Sequence, residues 1–92
     1  MINLDNNEIT VNANTEPYEI LWICVRKLTR FNNIKIEVFE ALSPKVESII
    51  QMLYWLGIEK KKVEVIEKRV ENKVYPRVKV YILEKIPVLK TL

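Results

Sequence analysis

The sequence contains no histidine, a single cysteine, Cys24, and a single aspartate, Asp5. Without histidine, neither serine–histidine nor cysteine–histidine catalysis has its base. With one cysteine, a zinc site lacks its usual donors and no disulfide can close within the chain. Gly57 is the only glycine, so there is no glycine-rich loop to cradle a phosphate, and no aspartate-rich metal motif is present either. No apolar run approaches the roughly 20 residues that span a bilayer. The opening MINLDNNEI lacks the basic region and apolar core of a secretory leader. These absences lead us to expect a cytoplasmic protein that is not an enzyme, with no metal, no other cofactor and no small-molecule substrate.

What is present describes a soluble globular chain. Of 92 residues, 49% are hydrophobic and 29% charged, too apolar for a disordered segment. The length suits one domain with one modest core over residues 1–92, with 1–7 and 86–92 as flexible tails. The net charge is +3 and the sequence pI about 9.0, which permits a phosphate-bearing partner without requiring one. Richness in Lys, Glu and Ile leans towards a thermophile's composition, and eight Asn argue the other way.

Along the chain, Ile9 and Val11 at period two predict a short strand over 8–12. A helix follows from Pro17, in its first turn, to about Arg30. Its middle, ILWICV, is apolar on nearly every side, which calls for cover on more than one face. Its end carries Arg26, Lys27 and Arg30, which complement the helix dipole. Ile34, Ile36 and Val38 alternate and predict a second strand. The second helix is bounded by a Ser43 N-cap, Pro44 at the first helical position and Gly57 as left-handed terminator. Val46, Ile49, Ile50, Leu53 and Leu56 form its apolar stripe, and Met52 and Trp55 lie off it. Glu59 to Lys62 reads as a solvated charged loop. Val63–Val70, with an irregularity at Ile66, and Val74–Leu83 predict two strands joined at Glu71-Asn72-Lys73, with Pro76 near the start of the last strand or at an unpaired edge. The expected fold is α+β, a two-layer β-α-β-α-β-β arrangement with two helices on one face of a four-stranded mixed sheet.

This order resembles that of the Alba family, the small basic chromatin proteins of archaea. The resemblance spans about residues 8–85. It rests on Pro17 inside the first helix, on Ala41-Leu42-Ser43-Pro44-Lys45-Val46 against the family's Ala-Ile-Ser-Lys-Ala-Val type motif, and on VEVIEKRV at the start of the hairpin. The C-terminal domain of translation initiation factor three has a similar order of elements and is the competing fold. The resemblance implies a dimer whose hairpins lie along nucleic acid. The chain also departs from the family. Thr15 and Glu16 stand where the family has a pair of lysines before the helix proline. Phe39-Glu40 stands where it has an Arg-Gly-Arg type loop.

The expected contacts to DNA or RNA are therefore Arg69, Lys73 and Arg77 on the hairpin, with Lys79 and Lys45 behind them. The number of such cations sets phosphate affinity. The bland alternative pairs them with Glu64, Glu67 and Glu71 across the strands. Met52 and Trp55 are the expected dimer interface, Met and Trp being enriched in interface cores. Trp22, Trp55, Met52, Tyr54 and Phe39 could stack on bases, although aromatics beside an apolar stripe more often serve core or interface. Glu37 and Glu40 flank the junction before the second helix, with nothing assembled around them for acid–base work. The leading expectation is a dimeric, largely sequence-independent nucleic-acid-binding protein of chromatin type, nucleoid-associated in the cytoplasm. The alternative keeps the fold and pairs with a related protein, having lost most nucleic-acid binding. Glu16 and Glu40, at positions where the family is basic, favour it. A third expectation, a ribosome-associated module like the competing fold, would prefer structured RNA.

Overall fold

In a computed structural model that describes residues 5–86, the chain forms β1 (Glu8–Val11), α1 (Pro17–Leu28), β2 (Asn33–Phe39), α2 (Ser43–Trp55), β3 (Ile58–Val70) and β4 (Lys73–Lys85). A 3₁₀ turn over Glu40–Leu42 leads into α2. The element order is the expected one. β1 and β2 are parallel, as a helical crossover requires. β4 pairs antiparallel with both β2 and β3, and the mixed sheet runs β1-β2-β4-β3.

Directly paired residues share a sheet face. Ile9, Ile36 and Tyr81 form one row, and Ile34 pairs with Leu83. Both helices pack on this face, α1 through Ile20, Cys24 and Leu28 and α2 through Val46, Ile49, Ile50 and Leu53. Val78, Val80 and Ile82 point to the other, helix-free face. Tyr81 is fully buried, and burial raises the pKa of its hydroxyl, with the nearby Lys79 opposing the shift. That hydroxyl has no hydrogen-bond partner among the described residues. Burial also pushes the Cys24 thiol up to about 12, so Cys24 is a small core hydrophobe.

Lys27 departs from the sequence expectation. It lies on the stripe of Ile20 and Cys24 and is buried. Its ammonium donates to the Asn6 carbonyl at 2.9 Å, Asn6 Oδ1 at 3.2 Å and the Glu8 carbonyl at 2.7 Å. Asn7, in the stretch expected to be a flexible tail, donates its side-chain amide to Asn33 Oδ1 at 2.8 Å. Its carbonyl accepts the Lys35 N–H. Residues 1–4 and 87–92, the rest of the expected tails, lie outside the described residues.

Several boundaries differ from expectation: α1 ends at Leu28, Pro44 takes the second position of α2, and β4 runs from Lys73 to Lys85. Ser43 is not a side-chain cap: it sits at the first position of α2, and its N–H is satisfied by the Glu40 carbonyl of the 3₁₀ turn. Backbone acceptors thereby replace the hydroxyl. Glu59–Lys62 is not a loop, because β3 already starts at Ile58. The register shifts between Lys60 and Lys62, where Lys61 is the extra residue. An edge strand can carry such charges into water, and they discourage pairing with another chain. Gly57 does adopt the expected left-handed conformation, with φ 87°.

The last pair between β2 and β4 is Phe39 with Val78. Beyond it, β3 and β4 continue alone as an arm, closed by a two-residue turn at Glu71-Asn72 between Val70 and Lys73. Glu71 has φ 55°, where glycine is usual at the first turn position. The register shifts again between the Ile66–Val78 and Lys68–Tyr75 pairs, leaving one additional residue on β4 at Pro76-Arg77. A missing N–H costs little at such a bulge on an arm with no β2 neighbour. The bulge also inverts the alternation of β4 and turns Tyr75 to the same face as Phe39. The arm gives the molecule its long dimension, 47 Å against 24 and 20 Å.

Candidate functional site

The arm concentrates cations. Lys68 and Arg69 lie on its β3 side, Lys73 and Arg77 on its β4 side. Carboxylates meet most of them. Arg77 donates from Nε to Glu40 on the 3₁₀ turn. Lys68 donates to Glu37 on β2. Arg69 lies 3.4 Å from Glu67. Lys79, expected to bind nucleic acid, projects from the helix-side face of β4. Its ammonium is 3.1 Å from Glu47 and 5.5 Å from the Tyr81 ring centre. Lys73 makes no ion pair or side-chain hydrogen bond among the described residues.

These pairs shift titrations. At Glu37, burial pulls the carboxyl up, but Lys68 and Lys35 outweigh it and hold it below the usual range. Arg77 lowers Glu40, and Lys79 lowers Glu47. The same contacts raise Arg77 and Lys79. All three glutamates are thus carboxylates at neutral pH, and they compete with any outside anion for these cations.

Lys45 is positioned differently from the rest. From α2 it reaches the loop before α1 and donates to the Ala13 carbonyl at 3.1 Å and the Thr15 carbonyl at 3.0 Å. The loop is further held by Thr15 Oγ1, which accepts the Asn12 N–H at 3.1 Å. The Glu19 carboxylate accepts the Glu16 N–H at 3.4 Å, half of a capping box. Arg69, Lys73 and Arg77 all lie on the arm, with Arg69 and Lys73 on opposite faces of the ribbon and Arg77 at its foot. Lys79 sits against the body, and Lys45 lies in the separate α1–α2 corner.

On the helix-free face, where the arm leaves the body, Phe39 and Tyr75 face each other with ring centres 5.3 Å apart. With Thr10, Val70 and Val78 they surround an open niche of about 200 Å³, which Glu37 and Lys68 also line. The sequence singled out Phe39 and Glu37 separately. Their meeting with Tyr75 depends on the β4 bulge, of which Pro76 is the local sign.

The other large exposed apolar groups lie on the helices. Met52 is 50% exposed and Trp55 86%. Tyr18, Leu21, Trp22 and Val25 of α1 surround a shallow groove with Leu56. Among the described residues no cluster of three or more His, Cys, Asp or Glu could hold a metal ion. No described helix is long and apolar enough to cross a membrane.

The architecture matches that of Alba1 from Trypanosoma brucei, with a TM-score of 0.69 over 92% of this chain and 74% of that one, at 16% identity. The fold is Alba-like. No protein-family model matches the chain, and no curated protein matches it in sequence. Within the Alba-like fold, the departures expected from the sequence acquire positions. Glu16 caps α1 beside the Lys45 anchor, and Phe39-Glu40 lies at the foot of the arm, where Glu40 holds Arg77.

Proposed function

We propose that this Alba-like chain is a non-enzymatic nucleic-acid-binding protein of chromatin type. It grips the phosphates of DNA or RNA through the β3–β4 arm and works as a dimer in the cytoplasm. The observation that carries the reading is the arm itself. It is a two-stranded ribbon free of β2, with cations on both strands. Such contacts position a protein on nucleic acid with little regard to sequence. Arg69 and Lys73 are the leading contacts. Arg77 joins them when a phosphate displaces Glu40. Lys79 and Lys45 have internal partners that favour structural roles.

Binding should weaken steeply with salt. Replacing Arg69 and Lys73 by Ala should lower affinity on any sequence and reduce the salt slope by about one for each cation lost. An unchanged slope in a fluorescence titration against duplex and single strands would rule the arm out.

The second reading, a protein-interaction subunit with weak nucleic-acid binding, draws on the neutralised Arg77 and Lys79. Both readings use Met52 and Trp55 as the subunit contact. Sedimentation should give a dimer for the native chain and a monomer for Trp55→Glu. A native monomer well above micromolar concentration would sink that assignment.

A further inference from the structure

The sheet stops where an apolar groove begins. The Ile86 N–H donates to the Gly57 carbonyl at 2.8 Å, and the Lys85 N–H donates to the Asn32 carbonyl at 3.3 Å. β3 starts only at Ile58 and β2 only at Asn33. Past Ile86, therefore, no described strand flanks β4 on either side. Residue 87 is proline, which has no N–H with which to extend a ladder. The chain that follows has to leave the plane of the sheet.

At this exit Lys85 and Ile58 border one end of a groove whose walls continue through Leu28, Val25 and Leu56. Val25 and Leu56 also border the shallow groove of Tyr18, Leu21 and Trp22. The two hollows are thus one channel along the outer side of α1, of about 410 and 570 Å³ in its two parts, room for several side chains. Trp22, Val25 and Leu56 are exposed in it, and large apolar groups gathered in this way mark a surface that something covers. From Val25 back to Tyr18 the channel follows about 10 Å of helix, an elongated shape that suits a peptide.

The segment that starts at its mouth has the matching chemistry. Residues 87–92 read Pro-Val-Leu-Lys-Thr-Leu, with three aliphatic side chains and one charge. Six residues reach up to roughly 20 Å when extended, more than the channel requires. A segment tethered at the mouth has an effective concentration on the order of millimolar, which a separate partner would have to exceed. We infer that residues 87–92 of the same chain occupy this channel, with Val88, Leu89 and Leu92 against Leu56, Val25 and Trp22 and with Lys90 and Thr91 towards water. The strap closes the α1 side of the helix layer. It leaves Met52 and Trp55, the proposed subunit contact, as the apolar surface still open there.

Two measurements on the full chain test this. In the first, Trp55→Phe makes Trp22 the only tryptophan, and Leu89→Asp with Leu92→Asp is added to it. The added pair should move Trp22 emission to the red, make its quenching by acrylamide steeper and lower the melting temperature by roughly 5 °C. Emission and quenching that stay the same overturn the strap. In the second, Leu56→Cys is combined with Leu89→Cys and oxidised mildly at low protein concentration, Cys24 being buried. An intrachain link should form faster than in a control with Lys60→Cys in place of Leu56→Cys, since Lys60 lies near the exit but outside the channel. Equal rates, or no link, overturn the docking. A link that joins two chains also overturns it, because the channel then receives the segment of a second copy.

Discussion

A lysine buried to 3% exposure must give its ammonium protons to fixed acceptors. Lys27 does so with three bonds to Asn6 and Glu8. They tie α1 to the beginning of β1, a strand of only four residues at one edge of the sheet. Charge-assisted bonds of this kind contribute more than neutral ones. Lys27→Met keeps most of the side chain's volume while removing the donor. It should destabilise the fold by roughly 2 kcal/mol. The loss should be uneven, with amide exchange in Glu8–Val11 accelerating before that in β2 or β4. Uniform acceleration, or none at β1, would mean that the strand is held by its apolar residues alone.

At the scale of elements, the sequence carried the helices and the inner strands because their signals are local. Val46, Ile49, Ile50 and Leu53 follow the helical period, and Ile34, Ile36 and Val38 follow the strand period. All seven are buried where those periods place them, whereas Leu56, the last residue of the expected stripe, sits at the C-cap of α2 and is 57% exposed. The length of the arm was less legible. Glu59–Lys62 has the composition of a loop, and only the edge position of β3 lets four consecutive charges run along a strand. Lys27 was hidden for the reverse reason: its burial is explained by acceptors that another element supplies. The candidate site divides along the same line. Arg69 and Lys73 could be read from the density of cations on one hairpin. The partners of Lys68, Arg77 and Lys79 could not, because Glu37, Glu40 and Glu47 lie 31 to 37 residues away along the chain. The turn at Glu71 shows a further limit. Its left-handed backbone is imposed by strand pairing on a residue that gains nothing from it.

For the whole molecule, net charge is a poor guide to available charge. The chain carries +3, but Glu40 and Glu47 answer the cations Arg77 and Lys79 at the foot of the arm and on the body beside it. Both pairs are solvent-facing, so they add little to stability. Their larger effect falls on an incoming phosphate, which must displace a tethered carboxylate to reach Arg77 or Lys79. Replacing Glu40 and Glu47 by Gln removes two negative charges and frees both cations. Affinity for nucleic acid should rise, and the salt slope should steepen by up to about two. Acidification tests the same point. Both carboxyl pKa values are lowered, so the glutamates stay ionised until the pH falls below the ordinary glutamate value of about 4.3. Between pH 7 and about pH 5 the native protein should therefore show no gain in affinity. The contribution of these pairs to stability, small as it is, is present above the unfolded pKa values and disappears as the pH falls through the lowered folded ones. The Gln double variant should bind more tightly at neutral pH and show less loss of stability on acidification. If its affinity and salt slope match those of the native chain, Arg77 and Lys79 do not meet phosphate at all. The contact surface would then shrink to Arg69, Lys73 and the tip of the arm.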